Sequence, residues 1–464
     1  MSEKLTAKQA AEQLLYKPEY AADKSADVKE KAAAFAEGYK AFLNAAKTER
    51  EAAAASEKLL LEAGYEKFEP KKTYAPGQKI YFVQEHKAVV AATIGRKSFE
   101  EGFRLVIAHI DSPRLDLRPN PLYEANHLSY FKTHYYGGIR KYQWVTIPLE
   151  LHGVVVLRDG SKVDVHIGGK EDDPQFIIND LLPHLGREQG KKPLNEAIPS
   201  ESLNVLLGGK PFEDKDCSDR FKLGVLQYLN VQYGITEEDF ISAELEVVPA
   251  GKARDIGFDR ALIGSYGHDD RVCAYPALRA ILDTDDTTHT QICVLADKEE
   301  IGSEGTSGMQ CVIITDILDE IAKNFGVLPS VLRENSLCLS ADVTAGYDPA
   351  YASAFEEMNA GFVNSGVTMN KFTGARGKSG SNDASAEYIG YLRGVFAKEN
   401  IVWQTGELGR VDLGGGGTVA KFIANMNIDT VDMGVPVLSM HAPYELISKA
   451  DLYTAHKAFS AFVK

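Results

Sequence analysis

Cysteine is scarce in this chain. It has five cysteines in 464 residues (Cys217, Cys273, Cys293, Cys311 and Cys338), and no two of them form a Cys-x-x-Cys pair. Four sit in apolar context, which reads as buried thiols rather than disulfides or ligands. Positive charge is short as well. Lys and Arg total 51 against 66 Asp and Glu, for a formal charge of −15. That balance, with no basic arm or arginine-aromatic stripe, argues against nucleic acid and anionic membrane surfaces as partners. No stretch reaches the roughly 18 uninterrupted apolar residues of a membrane span, and the opening Met-Ser-Glu-Lys-Leu-Thr-Ala-Lys carries no apolar signal core. The expected compartment is a reducing cytoplasm. The remaining composition, 44% hydrophobic and 25% charged, is that of an ordinary soluble protein long enough for two domains.

Residues 27–63 read as helix, with Phe35, Tyr39 and Phe42 at helical spacing. Thr48 and Glu51 form a capping box for a second helix that ends before Gly64. Residues 79–83 and 88–94 read as a hairpin about Glu85 and His86, and 103–108 as a buried strand. From about Pro119 to Pro249 the character changes: runs 145–151, 153–157 and 162–167 suggest antiparallel strands, 173–185 a helix, 187–199 a turn-rich segment and 244–248 a returning strand. After Gly251 helix and strand alternate again. The simplest organisation is one α/β domain, residues 1–115 plus 253–464, carrying an inserted β-rich domain at 116–252.

The chemistry concentrates at strand ends, where open α/β sheets bind ligands. Adjacent Glu299 and Glu300 follow the apolar run 292–296, and His109 and Asp111 follow 105–108. Asp269 and Asp270 lie in a glycine-rich turn, Asp342 follows 337–341, and His441 follows 435–440. Two adjacent carboxylates repel and resist desolvation, so a cation is expected beside them. Taken singly, each residue has a bland reading: a hydrogen-bonded histidine, a salt-bridged aspartate, or a solvated turn in which Lys298 pairs with Glu299 or Glu300. Together they are enough for two metals. His109 and Asp342 could hold one, Glu300 and His441 the other, with Asp269 bridging and Glu299 acting as general base. Asp111 could accept the second imidazole N–H of His109. His268 is a rival ligand, or a loop histidine facing solvent. Gly414–Gly417 before Thr418 lacks the Gly-Lys-Ser/Thr ending of a phosphate loop, leaving a flexible loop beside the site or a tight helix entry. Residues 379–383, with Lys371 and Arg376 nearby, could line a substrate pocket or cap a helix from Ala384.

Five segments, Ala108-His-Ile-Asp-Ser-Pro-Arg114, Gly267-His-Asp-Asp-Arg-Val-Cys273, Asp297-Lys-Glu-Glu-Ile-Gly-Ser303, Ser340-Ala-Asp342 and Ser439-Met-His-Ala-Pro443, together resemble the M18 family of metallo-aminopeptidases, the aspartyl aminopeptidase and aminopeptidase I group. The resemblance runs in the family's order over nearly the whole chain. It implies a mixed-sheet zinc-peptidase catalytic domain with an inserted β-rich dimerisation domain. It further implies two divalent metals, zinc with cobalt or manganese also suited, held by His109, Asp269, Glu300, Asp342 and His441, and Glu299 as base. The implied substrates are peptides, and the implied assembly is a homododecamer built from dimers. In that family a histidine of the inserted domain reaches a neighbouring subunit's site, and His184 in Leu182-Pro-His-Leu185 stands at the matching place. After Asp342 the chain reads Val-Thr-Ala-Gly-Tyr-Asp348, without the histidine of the best-known eukaryotic members, and the loop 371–383 is longer. Lys371 could pair with an acidic substrate side chain, so acidic and neutral N-terminal residues both remain open. The competing functions are a dinuclear amidohydrolase acting on acylated amino acids and a non-catalytic assembly protein of the same fold.

Overall fold

The most apolar runs of the chain form the centre of a mixed sheet in a computed structural model that describes residues 5–97, 101–284, 287–324 and 326–464. Residues 1–4 and 98–100 of the expected first segment therefore lie outside the described residues. The nine strands are ordered Glu66–Lys67, Lys79–Gln84, Ala88–Thr93, Thr290–Ala296, Phe103–His109, Leu337–Ser340, Asp429–Gly434, Val367–Asn370 and Trp403–Thr405. The four from Thr290–Ala296 to Asp429–Gly434 run parallel. Every residue of Thr290–Ala296 and Phe103–His109 is buried, as expected of parallel strands covered on both faces.

Alternate side chains serve two cores. Val106, Ala108, Cys293 and Leu295 face the helices Ala26–Ala45, Glu49–Glu62, His268–Leu282, Ala386–Lys398 and Lys449–Val463. Leu105, Ile107, Ile292 and Val294 face Ile313–Asn324, Pro329–Glu334 and Ala420–Ala424. The Thr48–Glu51 capping box forms as expected and opens the helix Glu49–Glu62. The hairpin forms too: Glu85 and His86 both take positive φ, 49° and 62°, and Gln84 pairs with Ala88, which is the geometry of a tight strand reversal.

A second sheet has seven strands, all antiparallel and all drawn from residues 114–249: Lys162–Ile167, Leu149–Val156, Ala243–Pro249, Arg114–Ala125, Leu128–Tyr136, Asn204–Gly208 and Ile177–Ile178. It has its own core around Trp144, Phe131, Leu151, Val165 and Phe240. Three expectations are corrected here. The runs 145–151 and 153–157 are one strand, Leu149–Val156, which begins after Pro148. It passes through Gly153 at φ 135°, where a Cβ would lie 1.9 Å from the Glu244 carbonyl oxygen. Residues 173–185 are not a helix. Pro183 lacks the N–H a helix interior needs, Asp173 Oδ2 accepts from the Gly168 and Lys170 N–H groups to close a turn, and Ile177–Ile178 pairs with Val205 and Leu206. The third concerns the helix expected from Ala384: it begins at Ala386, and its cap is Ser385, whose Oγ accepts from Tyr388 N. Of the thiols, Cys273, Cys293 and Cys338 are buried, while Cys217 and Cys311 are partly exposed.

Candidate metal centre

Three neighbouring parallel strands end beside one another. Ala296 is level with His109, and Ser340 with Ile107. The residues just past those ends, His109, Asp111, Glu299, Glu300 and Asp342, therefore share one rim. The helix His268–Leu282 packs against this face, and its first residues, Asp269 and Asp270, depart from helical geometry with a cis peptide between them. Arg271 fixes the helix to the rim: fully buried, it donates from Nε to the Ile110 carbonyl at 3.1 Å and from Nη2 to the Lys47 carbonyl at 3.3 Å.

Asp269 occupies the middle. Its Oδ1 is 3.1 Å from His109 Nε2 and its Oδ2 is 3.1 Å from His441 Nε2. Asp342 Oδ1 is 4.0 Å from His109 Nε2, and Glu300 Oε1 is 3.5 Å from His441 Nε2. Two triads could hold a metal ion, His109–Asp270–Asp342 and His109–Asp269–Glu300, the donor atoms of each lying within 4.8 Å of one another. The far side of each ring is tied down. His109 Nδ1 faces the Asp111 carbonyl at 3.0 Å, and His441 Nδ1 faces the Gly138 carbonyl at 3.0 Å. Both rings thus donate from Nδ1 and turn Nε2 toward the carboxylates, the nitrogen a metal would take in place of a proton.

The electrostatics favour a cation. Burial pushes the carboxyls of Asp270, Asp342 and Glu300 well up, reinforced by their acidic neighbours, and Glu299 to about 7 for the same reason. Burial would also raise Asp269, but the His109 and His441 imidazoles that face it hold it below the usual range. Burial opposes protonation of His441, yet Asp269 and Glu300 raise it to about 10. Asp269 Oδ1, Asp270 Oδ1 and Glu300 Oε1 are buried without a hydrogen-bond partner. Buried carboxylate oxygens that lack donors are costly, and a divalent cation offsets that cost. The donor set, imidazole nitrogen with carboxylate oxygen, fits zinc.

Other groups hold the ligands, and their positions in the chain carry little signal of it. Asp111 serves chiefly as an acceptor for the turn: its oxygens take N–H bonds from Glu299 at 3.1 Å and Glu300 at 3.2 Å, and the Tyr136 hydroxyl at 2.8 Å. Its Oδ1 lies 3.3 Å from His109 Nδ1, farther than the Asp111 backbone carbonyl at 3.0 Å. Glu445 accepts from Asp269 N at 3.2 Å and His441 N at 2.7 Å, and burial raises its carboxyl to about 8. Tyr136 and Gly138 lie on and just beyond the strand Leu128–Tyr136, so the seven-stranded sheet braces the rim. Lys298, Ser439 and His441 sit at φ 66°, 59° and 65°, each costing about 1–3 kcal/mol for a residue with a Cβ.

His268 does not join the site: its Nδ1 meets the Tyr39 hydroxyl at 2.8 Å and its Nε2 the Ile263 carbonyl at 3.1 Å, and burial lowers it to about 3. His184 is exposed in a turn between Leu182 and Leu185, and Lys371 is exposed just past Val367–Asn370; neither is brought to the cluster within the chain. Gly415 packs against the Gly374 carbonyl, where a Cβ would come within 2.1 Å. Thr418 Oγ1 accepts from Ala420 N at 3.3 Å, so this segment is a helix entry.

The family model of the aminopeptidase I zinc metalloproteases (M18) matches residues 42–463. A probable M18 family aminopeptidase 1 of Clostridium acetobutylicum is 45% identical over 438 residues, covering 93% of this chain and 94% of that one. The crystal structure of an M18 aminopeptidase from Thermotoga maritima superposes with a TM-score of 0.92 at 41% identity, covering 97% of this chain and 100% of the other. A structure of the S. cerevisiae mApe1 dodecamer gives 0.74 at 18% identity, over 92% and 96% of the two chains, a likeness of fold alone. No helix among the described residues is long and apolar enough to cross a membrane.

Proposed function

The chain belongs to the M18 family of aminopeptidase I zinc metalloproteases and is a metallo-aminopeptidase, and from that premise we propose that it works through a dinuclear site. In this reading His109 and Asp342 hold one cation, Glu300 and His441 the other, and Asp269 lies between them. The observation that carries it is the Asp269 carboxylate, one oxygen toward each imidazole at 3.1 Å, among buried carboxylate oxygens without donors. Bound there, two divalent cations (zinc, with cobalt or manganese suited to the same donors) would supply Lewis-acid polarisation of the scissile carbonyl and a more acidic water.

The side chain assigned to proton transfer is Glu299. It takes a proton from the attacking water as the water oxygen bonds the carbonyl carbon. It returns that proton to the leaving nitrogen as the C–N bond breaks, releasing the N-terminal amino acid and a peptide one residue shorter. Burial and the neighbouring carboxylates raise its carboxyl, and bound cations would oppose that rise. Asp111 positions Glu299 and Glu300 through their backbone.

The catalytic unit is taken as residues 1–115 with 253–464 and the inserted unit as 116–252, supported by the separate core of the seven-stranded sheet. The inserted unit serves dimerisation, the dimers build a homododecamer, and the assembly acts on peptides in the cytoplasm. The similarly folded S. cerevisiae mApe1 is a dodecamer, and the exposed His184 suits a role in a neighbouring subunit. N-terminal preference is acidic or neutral, with Lys371 available to an acidic side chain. A panel of aminoacyl fluorogenic substrates and N-acylated amino acids, run with chelator and then with zinc, cobalt or manganese restored, tests this. Hydrolysis of free-amino substrates that stops with chelator and returns with metal supports the proposal. Turnover of only the N-acylated compounds, or none on restoring metal, overturns it.

A further inference from the structure

A second cluster of imidazoles and a carboxylate lies away from the strand-end rim and shares no residue with it. His152 on the strand Leu149–Val156 and His166 on Lys162–Ile167 are directly paired across the seven-stranded sheet, and their rings meet edge to face at 5.3 Å. Glu51, in the first turn of the helix Glu49–Glu62, reaches across from the other body. Its Oε1 is 2.8 Å from His152 Nδ1 and 2.9 Å from His166 Nδ1. The other oxygen is already committed: Oε2 accepts from Lys47 N at 2.7 Å and Thr48 N at 3.1 Å. The capping box therefore aims Oε1 at the two rings.

We propose that Glu51 Oε1, His152 Nδ1 and His166 Nδ1 form a further divalent-cation site, of the zinc class, that clamps the helix Glu49–Glu62 to the seven-stranded sheet.

Three observations carry it. The donor atoms lie within 4.8 Å of one another. Two imidazole nitrogens with one carboxylate oxygen are a set that zinc and its neighbours accept, with a position left for water. Next, both nitrogens of His152 face carboxylate oxygens, Nδ1 toward Glu51 and Nε2 toward Glu150 Oε2 at 2.9 Å. A neutral imidazole carries one N–H, so one of those faces is filled either by a second proton or by a cation. Glu150 Oε1 is itself fixed by Gly251 N at 2.9 Å. Glu150 thus stands where carboxylates orient metal-bound histidines, accepting the ring N–H that the metal does not displace. Finally, the cluster opens on a cleft of about 1030 Å³, lined also by His86, Lys162 and Asp164, which gives an ion and its waters a way in.

The test is a metal count on the full-length protein. Wild type and His166→Ala are stripped with chelator, dialysed to equilibrium against zinc and assayed for zinc per chain. The His166 side chain is about half exposed (51%), so its loss leaves the sheet core in place, and His166→Gln repeats the reading with a polar side chain kept. The expected result is one zinc fewer per chain in both variants, with aminopeptidase turnover unchanged. Equal zinc in wild type and variants overturns the proposal and assigns His152 as an imidazolium held between Glu51 and Glu150. The count is a difference between chains that share the strand-end rim, so it reads the same way whatever that rim binds.

Discussion

Replacing Glu299 by Gln separates proton transfer from metal binding. The backbone of this turn is held by Asp111, which accepts from Glu299 N at 3.1 Å and Glu300 N at 3.2 Å. Neither bond involves the Glu299 side chain. Gln has nearly the same shape, so Glu300, Asp269, Asp342 and the two imidazoles keep their places, and zinc per chain is expected to match wild type. The carboxamide cannot accept and return a proton, which a carboxylate can do. General acid–base catalysis contributes typically about 10²–10⁴-fold, or about 2.7–5.4 kcal/mol at about 1.36 kcal/mol per tenfold. The assay is kcat on an aminoacyl fluorogenic substrate at saturation, with zinc per chain measured on the same sample. The expected outcome is a kcat loss in that range at constant zinc, with little change in KM. A loss well short of the lower figure would refute the base assignment. Loss of zinc together with kcat would make Glu299 a ligand instead.

Asp111→Asn retains one acceptor oxygen but turns an amide N–H₂ toward a backbone N–H or the Tyr136 hydroxyl. At least one charge-assisted hydrogen bond is lost, about 1.5–3 kcal/mol. Zinc affinity is expected to fall about 10–100-fold as the Glu299–Glu300 turn loosens; zinc titration checks this, and unchanged affinity would reduce Asp111 to a structural brace. Asp451 supplies a pH test away from the site. Burial raises its carboxyl to about 7, against the opposing N–H bonds from Gly366 and Asn364. Between about pH 4, where the unfolded carboxyl ionises, and about pH 7 the folded chain holds a proton that the unfolded chain has lost. The contribution to stability therefore falls as pH rises through that window, by up to about 1.4 kcal/mol per unit. Asp451→Asn is expected to flatten urea-unfolding free energies measured from about pH 5 to about pH 8, and curves parallel to wild type would refute this assignment.

Local chemistry made part of the fold legible. The Thr48–Glu51 box and the Glu85–His86 reversal are set by residues within three or four positions, and both formed as read. The segment 173–185 misled because its apolar residues, Phe176, Ile177, Ile178, Leu181 and Leu182, satisfy a helical spacing, while Pro183 and the partner strand Asn204–Gly208 decide otherwise. The strand Leu149–Val156 was split in two because His152 falls between the apolar runs 145–151 and 153–157, yet the strand continues through it and through Gly153, where the close approach of the Glu244 carbonyl requires a glycine.

The candidate ligands were legible for a different reason. In a parallel sheet neighbouring strands end on the same side, so residues just past three apolar runs become neighbours although nearly two hundred positions separate His109 from Glu300. The pairing of Ala296 with His109 and of Ser340 with Ile107 carries this out. The groups that hold those ligands obey no such rule. Glu445 meets Asp269 and His441 because the strand Glu445–Ser448 pairs with Leu262–Ser265, placing Glu445 level with Ser265. Tyr136 and Gly138 meet Asp111 and His441 because the second sheet lies against the first. Glu51, read correctly as half of a capping box, gave no hint that its second oxygen faces His152 and His166 across two bodies. A ligand at a strand end leaves its mark in the local pattern of the sequence. A brace that arrives from another element leaves none, because its partner is chosen by packing.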